Sequence, residues 1–152
     1  MTITAEIPDN WEFEAESFLQ LSAETEVLVK VRPPLHTEMG EYKIELNLTD
    51  RNGFAAGNGE ITVNVPQYHG VSIFAEQIGS EVKIGIINTG NGKDQFKLTK
   101  DLEEGLTLYL TETYFEMDAF SSITIMALGM ETNTSKEYDA IFTVQSIDNE
   151  NI

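Results

Sequence analysis

Lys93 follows Gly90-Asn91-Gly92, and a lysine behind closely spaced glycines is a residue set that can cradle phosphate. The spacing of a phosphate loop is not met. Ile87 stands where its first glycine belongs, and Asp94 stands where a magnesium-binding hydroxyl belongs. The alternation on either side makes this loop a reversal between strands, so no helix N-terminus is present to face an anion. His36 and His69 are the two histidines, both near proline-containing turns and without a second ligand at useful spacing. That pattern argues against a zinc site and against a Ser-His-Asp triad. Glu12, Glu14 and Glu16 recur at period two, which places them on the solvated face of a strand. A glycosidase pair would need carboxylates opposed across a cleft, and neither these nor Glu103-Glu104 mark one. Calcium is the ion the sequence leaves open, because Asp50-Arg51-Asn52 and Asp148-Asn149-Glu150-Asn151 concentrate loop oxygens. No catalytic residue and no cofactor is assigned.

Composition narrows the function classes further. The 152 residues carry a formal net charge of −17. The part up to Pro66 holds 4 basic and 12 acidic residues and the remainder 5 and 14, giving −8 and −9. The acidity is therefore spread along the chain. It would repel a phosphate backbone and an anionic lipid surface, which argues against nucleic-acid and anionic-lipid partners. Cysteine is absent, which removes disulfides, thiolate metal sites and cysteine nucleophiles. No run of 18 apolar residues exists, so no membrane insertion by this chain is expected, and residues 1–20 lack the basic start and apolar centre of a signal peptide. An exported protein with this sequence would be a mature or excised piece.

The elements that position these residues are strands. Val82, Ile84 and Ile86 alternate with polar or small residues, Asn88-Thr89-Gly90-Asn91-Gly92 supplies turn formers, and Phe96 and Leu98 resume the alternation. Glycine and asparagine in that turn are expected to take positive φ. Period two recurs at Val27-Val29-Val31, at Tyr42-Ile44-Leu46-Leu48, at Ile61-Val63-Val65 and at Val71-Ile73-Ala75. Asn52-Gly53, Gly57-Asn58-Gly59 and Gly79-Ser80 punctuate it. Short strands at this spacing predict an all-β antiparallel sandwich.

The two halves share phase. A shift of 96 places Leu19, Leu21, Val27, Val29, Val31, Tyr42, Leu46 and Leu48 on Phe115, Met117, Ile123, Ile125, Ala127, Tyr138, Phe142 and Val144. With one inserted residue, Ile3, Ile7 and Trp11 fall on Leu98, Leu102 and Leu106. The expectation is a tandem repeat. Residues 1–66 are then the C-terminal part of a first sandwich, and 67–152 a second sandwich lacking its last strand. A chain of this kind reads as cut from a longer array, with a strand-exchanged homo-oligomer as one way to complete the first unit.

The second half resembles the immunoglobulin-like, CARDB-type cell-adhesion repeats of bacterial and archaeal surface proteins, and the similar modules attached to some glycosidases. The matching residues are Val82-Lys83-Ile84-Gly85-Ile86-Ile87-Asn88-Thr89-Gly90-Asn91, Asp94-Gln95-Phe96-Lys97-Leu98, Glu104-Gly105-Leu106-Thr107-Leu108 and the Tyr138 strand. In the first half Pro8-Asp9-Asn10-Trp11-Glu12-Phe13 and Gly40-Glu41-Tyr42-Lys43-Ile44 follow the same pattern, and the join from Ile61 to Val71 is similar to the linker between such repeats. Lys136 departs from it where the first half has Gly40, and Asp118-Ala119-Phe120-Ser121 replaces the usual Pro-Gly turn.

The resemblance implies tandem immunoglobulin-like or fibronectin III-like sandwiches outside the cell. They would act without catalysis as spacer, display or adhesion elements beside other domains of the same surface protein, with protein or glycan ligands. An accessory or carbohydrate-binding module of a secreted enzyme is the alternative. The residues singled out are structural: Asn88, Gly90 and Phe96 in the turn and its strand, and Asp94 as a cap for loop amides, with a ligand role as its other reading. Tyr42 and Tyr138 are read as tyrosine corners. Trp11 is read as core, with a sugar platform as its other reading. Asn133 and Asn47 head glycosylation sequons, and Asn47 should point outward.

Overall fold

A computed structural model describes residues 1–16, 27–131 and 136–147. Their regular structure is all strand, and the chain divides into two compact units, Met1–Pro66 and Gln67–Ile152.

In the first unit, β4 (Gly40–Thr49) lies between β1 (Thr2–Glu6) and β5 (Ala55–Val65), both antiparallel to it. Its even-numbered residues turn inward because Ile44, Leu46 and Leu48 alternate with Glu45 and Asn47, and Ile44 is fully buried. A separate ribbon pairs β2 (Glu12–Ala15) with β3 (Val29–Arg32). Trp11 precedes β2 and is buried, its ring centroid 4.9 Å from that of Tyr42. The Tyr42 hydroxyl donates to the Glu38 carbonyl at 2.9 Å, four residues upstream. Asn47 lies on the face opposite Ile44, half-buried and across from Asn58.

The second unit has two antiparallel sheets. One has the order β6 (Val71–Ile78), β7 (Glu81–Asn88), β11 (Ser122–Glu131), β9 (Leu106–Leu110). The other has the order β10 (Tyr114–Met117), β8 (Asp94–Leu102), β12 (Ala140–Ser146). Ile84 and Ile86 of β7, Leu108 of β9 and Ile125 and Ala127 of β11 meet Phe96 and Leu98 of β8 and Phe115 and Met117 of β10 in one core. The Phe96 and Phe115 rings stack at 6.0 Å. Burying each large side chain here contributes about 1.5–3 kcal/mol. Leu106–Leu110 belongs to the first sheet and Tyr114–Met117 to the second, so one stretch of chain passes between the layers within Thr111, Glu112 and Thr113.

Gly85 faces outward on β7, directly across from Phe74. A Cβ at Gly85 would stand 2.0 Å from the Phe74 ring, so the phenylalanine lies over bare backbone.

The pairing registers of the two units correspond on one side. Ile3 opposes Leu48 and Ala5 opposes Leu46 in the first unit, while Leu98 opposes Val144 and Lys100 opposes Phe142 in the second. These are the residues that the 96-residue shift and its one-residue insertion equate. The β2–β3 ribbon corresponds less closely. Phe13 opposes Val31, whereas Leu108 opposes Gly129, a register two residues away with the same inward phase.

Candidate functional site

The predicted turn residues come together in a buried polar cluster at one end of the second unit. Asn88 ends β7 with its side chain fully buried, and its amide holds three segments at once. Oδ1 accepts from the Gly90 N–H at 2.9 Å, while Nδ2 donates to the Gly92 carbonyl at 3.0 Å and the Asp118 carbonyl at 3.0 Å. The next layer is the stretch 67–70. Gly70 O accepts from the N–H groups of Thr89 (2.9 Å) and Gly90 (3.2 Å), and the Asn91 Oδ1 accepts from Tyr68 N at 2.7 Å. Gln67 Nε2 donates to the Lys93 carbonyl at 3.2 Å. Residues 67–70, which the sequence suggested as linker, are thus bonded into the second unit.

The sequence also misassigned the reason for glycine in this loop. Positive φ occurs at Asn10, Phe120, Gly40, Gly53, Gly79 and Gly105 among the described residues, and not at Gly90 or Gly92. Gly90 is required by proximity: a Cβ there would stand 2.7 Å from the Tyr68 carbonyl oxygen. The left-handed residue of this region is Phe120, at φ 56°. It is the third residue of the Asp118-Ala119-Phe120-Ser121 turn, which closes through the Ser121 N–H to the Asp118 carbonyl at 3.3 Å.

Asp94 is 2 % exposed and opens β8. Its role differs from a general cap of loop amides, because a single amide reaches it. Oδ1 accepts from Gln95 N and from Ser146 Oγ, each at 2.8 Å, and Oδ2 lies 2.8 Å from His69 Nδ1, so the ring N–H donates to it. Serine, aspartate and histidine are therefore all present, but in the wrong order for nucleophilic catalysis. Ser146 donates to the carboxylate and not to the imidazole, so the serine–histidine contact of a triad is missing. Among the described residues every buried side-chain nitrogen and oxygen has a partner. The cluster is saturated by its own groups, and what it does chemically is hold the loop, the 67–70 stretch and the end of β12 together.

The remaining candidates lie apart from this cluster. Lys93 is ion-paired to Glu116, and that bond raises the lysine pKa above its ordinary value. The Asp50 carboxylate accepts from the N–H groups of Asn52 (2.8 Å) and Phe54 (2.9 Å), and these backbone bonds hold its pKa below the ordinary value. No group of three His, Cys, Asp or Glu side chains suited to a metal occurs among the described residues. The other calcium candidate, 148–151, and the Asn133 sequon lie outside them. Trp11, at 7 % exposure, offers no open ring face to a sugar. Tyr68, Tyr109 and Tyr114 are exposed, yet Lys100 stands 6.0 Å from the Tyr109 centroid and Lys97 stands 5.5 Å from that of Tyr114. Tyr138 is half-buried with Lys136 4.8 Å from its ring centroid, and the residue four before it, Thr134, lies outside the described residues.

The chain matches no protein-family model, no curated protein and no solved structure. The sequence reasoning missed His69, Tyr68, Gly70 and Ser146 as partners of the loop. Ser146 is 52 positions from Asp94 and His69 is 25, and no local spacing reports a contact made by folding.

Proposed function

We propose that this chain is a non-catalytic pair of immunoglobulin-like β-sandwich repeats that works as a spacer, display or adhesion element of a larger extracellular protein. The observation that supports the reading is the matching register: Ile3 opposes Leu48 in the first unit as Leu98 opposes Val144 in the second. The strand order β6-β7-β11-β9 against β10-β8-β12 supports an immunoglobulin-like arrangement, since it sets the first, second, fourth and sixth strands of the unit together against the third, the fifth and the last. Full hydrogen bonding supports a structural reading of this cluster: among the described residues no buried side-chain nitrogen or oxygen is without a partner. A net charge of −17 suits a surface that stays hydrated and repels its neighbours.

Antibodies raised against the chain, applied to intact cells of the source organism, test the location. Labelling without permeabilisation is the expected result, and signal confined to permeabilised cells would overturn the reading. The alternative, a carbohydrate-binding accessory module, predicts retention on a glycan array that is lost on Tyr109→Ala or Tyr114→Ala. The lysines stationed over both rings argue against it.

A further inference from the structure

Asparagine is followed by glycine three times, at Asn52-Gly53, Asn58-Gly59 and Asn91-Gly92. Such a dipeptide can react with itself. The backbone nitrogen of the glycine attacks the side-chain carbonyl carbon of the asparagine, and a five-membered imide forms. Glycine favours the step, because no side chain shields its nitrogen and its backbone turns easily. The asparagine side chain must leave its hydrogen bonds and the peptide after it must rotate. The fold therefore decides which of the three can react.

Their surroundings differ. Asn91 is 1 % exposed and Gly92 is buried. Asn91 Oδ1 accepts from Tyr68 N at 2.7 Å, its own N–H donates to the Tyr68 carbonyl, and the Gly92 carbonyl accepts from Asn88 Nδ2. Reaction there requires the buried cluster to open. Asn58 and Gly59 are exposed, but they lie inside the β4–β5 ladder opposite Asn47 and Leu46, with paired residues on both sides. Asn52 and Gly53 are exposed in the turn beyond the last ladder pair, Thr49–Ala55, and Gly53 has φ 82°. One residue supplies the bonds that hold this turn. Asp50 Oδ1 accepts from the N–H groups of Asn52 and Phe54, the Asp50 carbonyl accepts from Gly53 N at 3.2 Å, and the Asn52 side chain bonds to the same carboxylate. Opening an exposed turn costs far less than opening a ladder or a buried cluster.

We propose that Asn52 is a site of spontaneous covalent modification, converting through a cyclic imide to aspartate and isoaspartate, and that the Asp50 carboxylate restrains the conversion. In the first step the bond from Gly53 N to Asn52 Cγ forms and the Cγ–Nδ2 bond breaks. Nδ2 leaves as ammonia, taking the proton from Gly53 N. In the second step water adds to one of the two imide carbonyls, and the bond from that carbon to the ring nitrogen breaks. Opening on one side restores the ordinary backbone with an aspartate side chain. Opening on the other carries the backbone through the former side chain and lengthens it by one methylene. Either product sets a new negative charge beside Asp50. Neither step depends on where the protein resides or on what it displays.

The full chain is incubated at mildly alkaline pH, once native and once in concentrated urea, and tandem mass spectrometry assigns each amide-to-acid exchange to its residue. In urea the three asparagines should convert at rates within about 3-fold of one another, since the unfolded chain no longer distinguishes them. In the native chain Asn52 should convert within about 10-fold of its rate in urea, Asn58 about 10-fold or more slower than Asn52, and Asn91 more slowly still. Asp50→Ala should raise the native rate at Asn52, relative to the rate in urea, by about 3-fold or more. A native rate at Asn52 no faster than that at Asn58 or Asn91 would overturn the proposal, as would the native ranking persisting in urea. An Asp50→Ala chain that converts no faster than the parent would overturn the restraint assigned to Asp50.

Discussion

Replacement of Asp94 is the sharpest test of the buried cluster. Asp94→Ala removes the acceptor for His69 Nδ1, Ser146 Oγ and Gln95 N, each now at 2.8 Å. A hydrogen bond to a charged group contributes roughly 1.5–3 kcal/mol. The three do not add in full, because the His69 side chain is 24 % exposed and can turn to water. A loss of about 3 kcal/mol is expected, which for a unit of this size lowers the melting temperature by about 12–24 °C. Asp94→Asn keeps the shape. Its oxygen can still accept from Ser146 and Gln95, and its NH₂ can donate to His69 Nδ1 once the ring proton moves to Nε2. That variant should lose about 1 kcal/mol or less. The assay is calorimetry of the full chain beside tryptophan emission: Trp11, the one tryptophan, lies in the first unit, so the emission assigns transitions. Combined with His69→Ala, Asp94→Ala should show a coupling of about 1–2 kcal/mol. An alanine variant within about 0.5 kcal/mol of the parent would refute the reasoning, because a saturated buried cluster cannot lose its central acceptor so cheaply. An asparagine variant as damaged as alanine would refute the tautomer exchange.

Two further outcomes follow from the same end of the unit and from its ion pairs. The closing bond and the left-handed Phe120 make Asp118-Ala119-Phe120-Ser121 a type II turn, whose second position favours proline. Ala119→Pro should therefore raise stability by about 0.4–1 kcal/mol, seen as a higher urea midpoint at unchanged slope. Glu103 is held below its ordinary value of 4.5 first by the Lys136 ammonium and then by the Asp139 N–H. A carboxyl that is more acidic in the folded state stabilises fully above its unfolded value and loses that contribution as pH falls through the folded one. Glu103→Gln should flatten the decline of the urea midpoint from about pH 5 toward pH 3, and an unchanged slope there would remove this pair from the acid response.

The strands were legible because burial on one face imposes period two. In β8, Asp94, Phe96 and Leu98 are buried and Gln95 and Lys97 exposed, as the alternation requires. Asp94 belongs to the inward row although it is charged, so its depth could be read from phase while its partners could not. The boundary at Pro66 was marked by proline at the end of an alternating run. Phe120 was illegible because nothing in a bulky side chain announces positive φ; the surrounding bonds impose it. The cluster as a whole was half visible. Asn88, Gly90 and Asp94 stood out as turn chemistry, but His69 reads as an unremarkable residue in a short join until folding sets it against the carboxylate. The passage from β9 to β10 left a trace that was not used: inward residues run Leu106, Leu108, Leu110 and then Phe115, Met117, a slip from even to odd numbers.

That passage fixes how the second unit can yield to load. Two layers held only by greasy side chains can glide over one another, since such packing has no preferred direction. Here a single ribbon is stitched to β11 through Leu106–Leu110 and the Thr111 N–H, and to β8 through the Thr113 carbonyl and Tyr114–Met117, with Glu112 alone as slack. Any glide longer than that slack must break one set of backbone hydrogen bonds before the layers part, so resistance to shear is built into the covalent path of the chain.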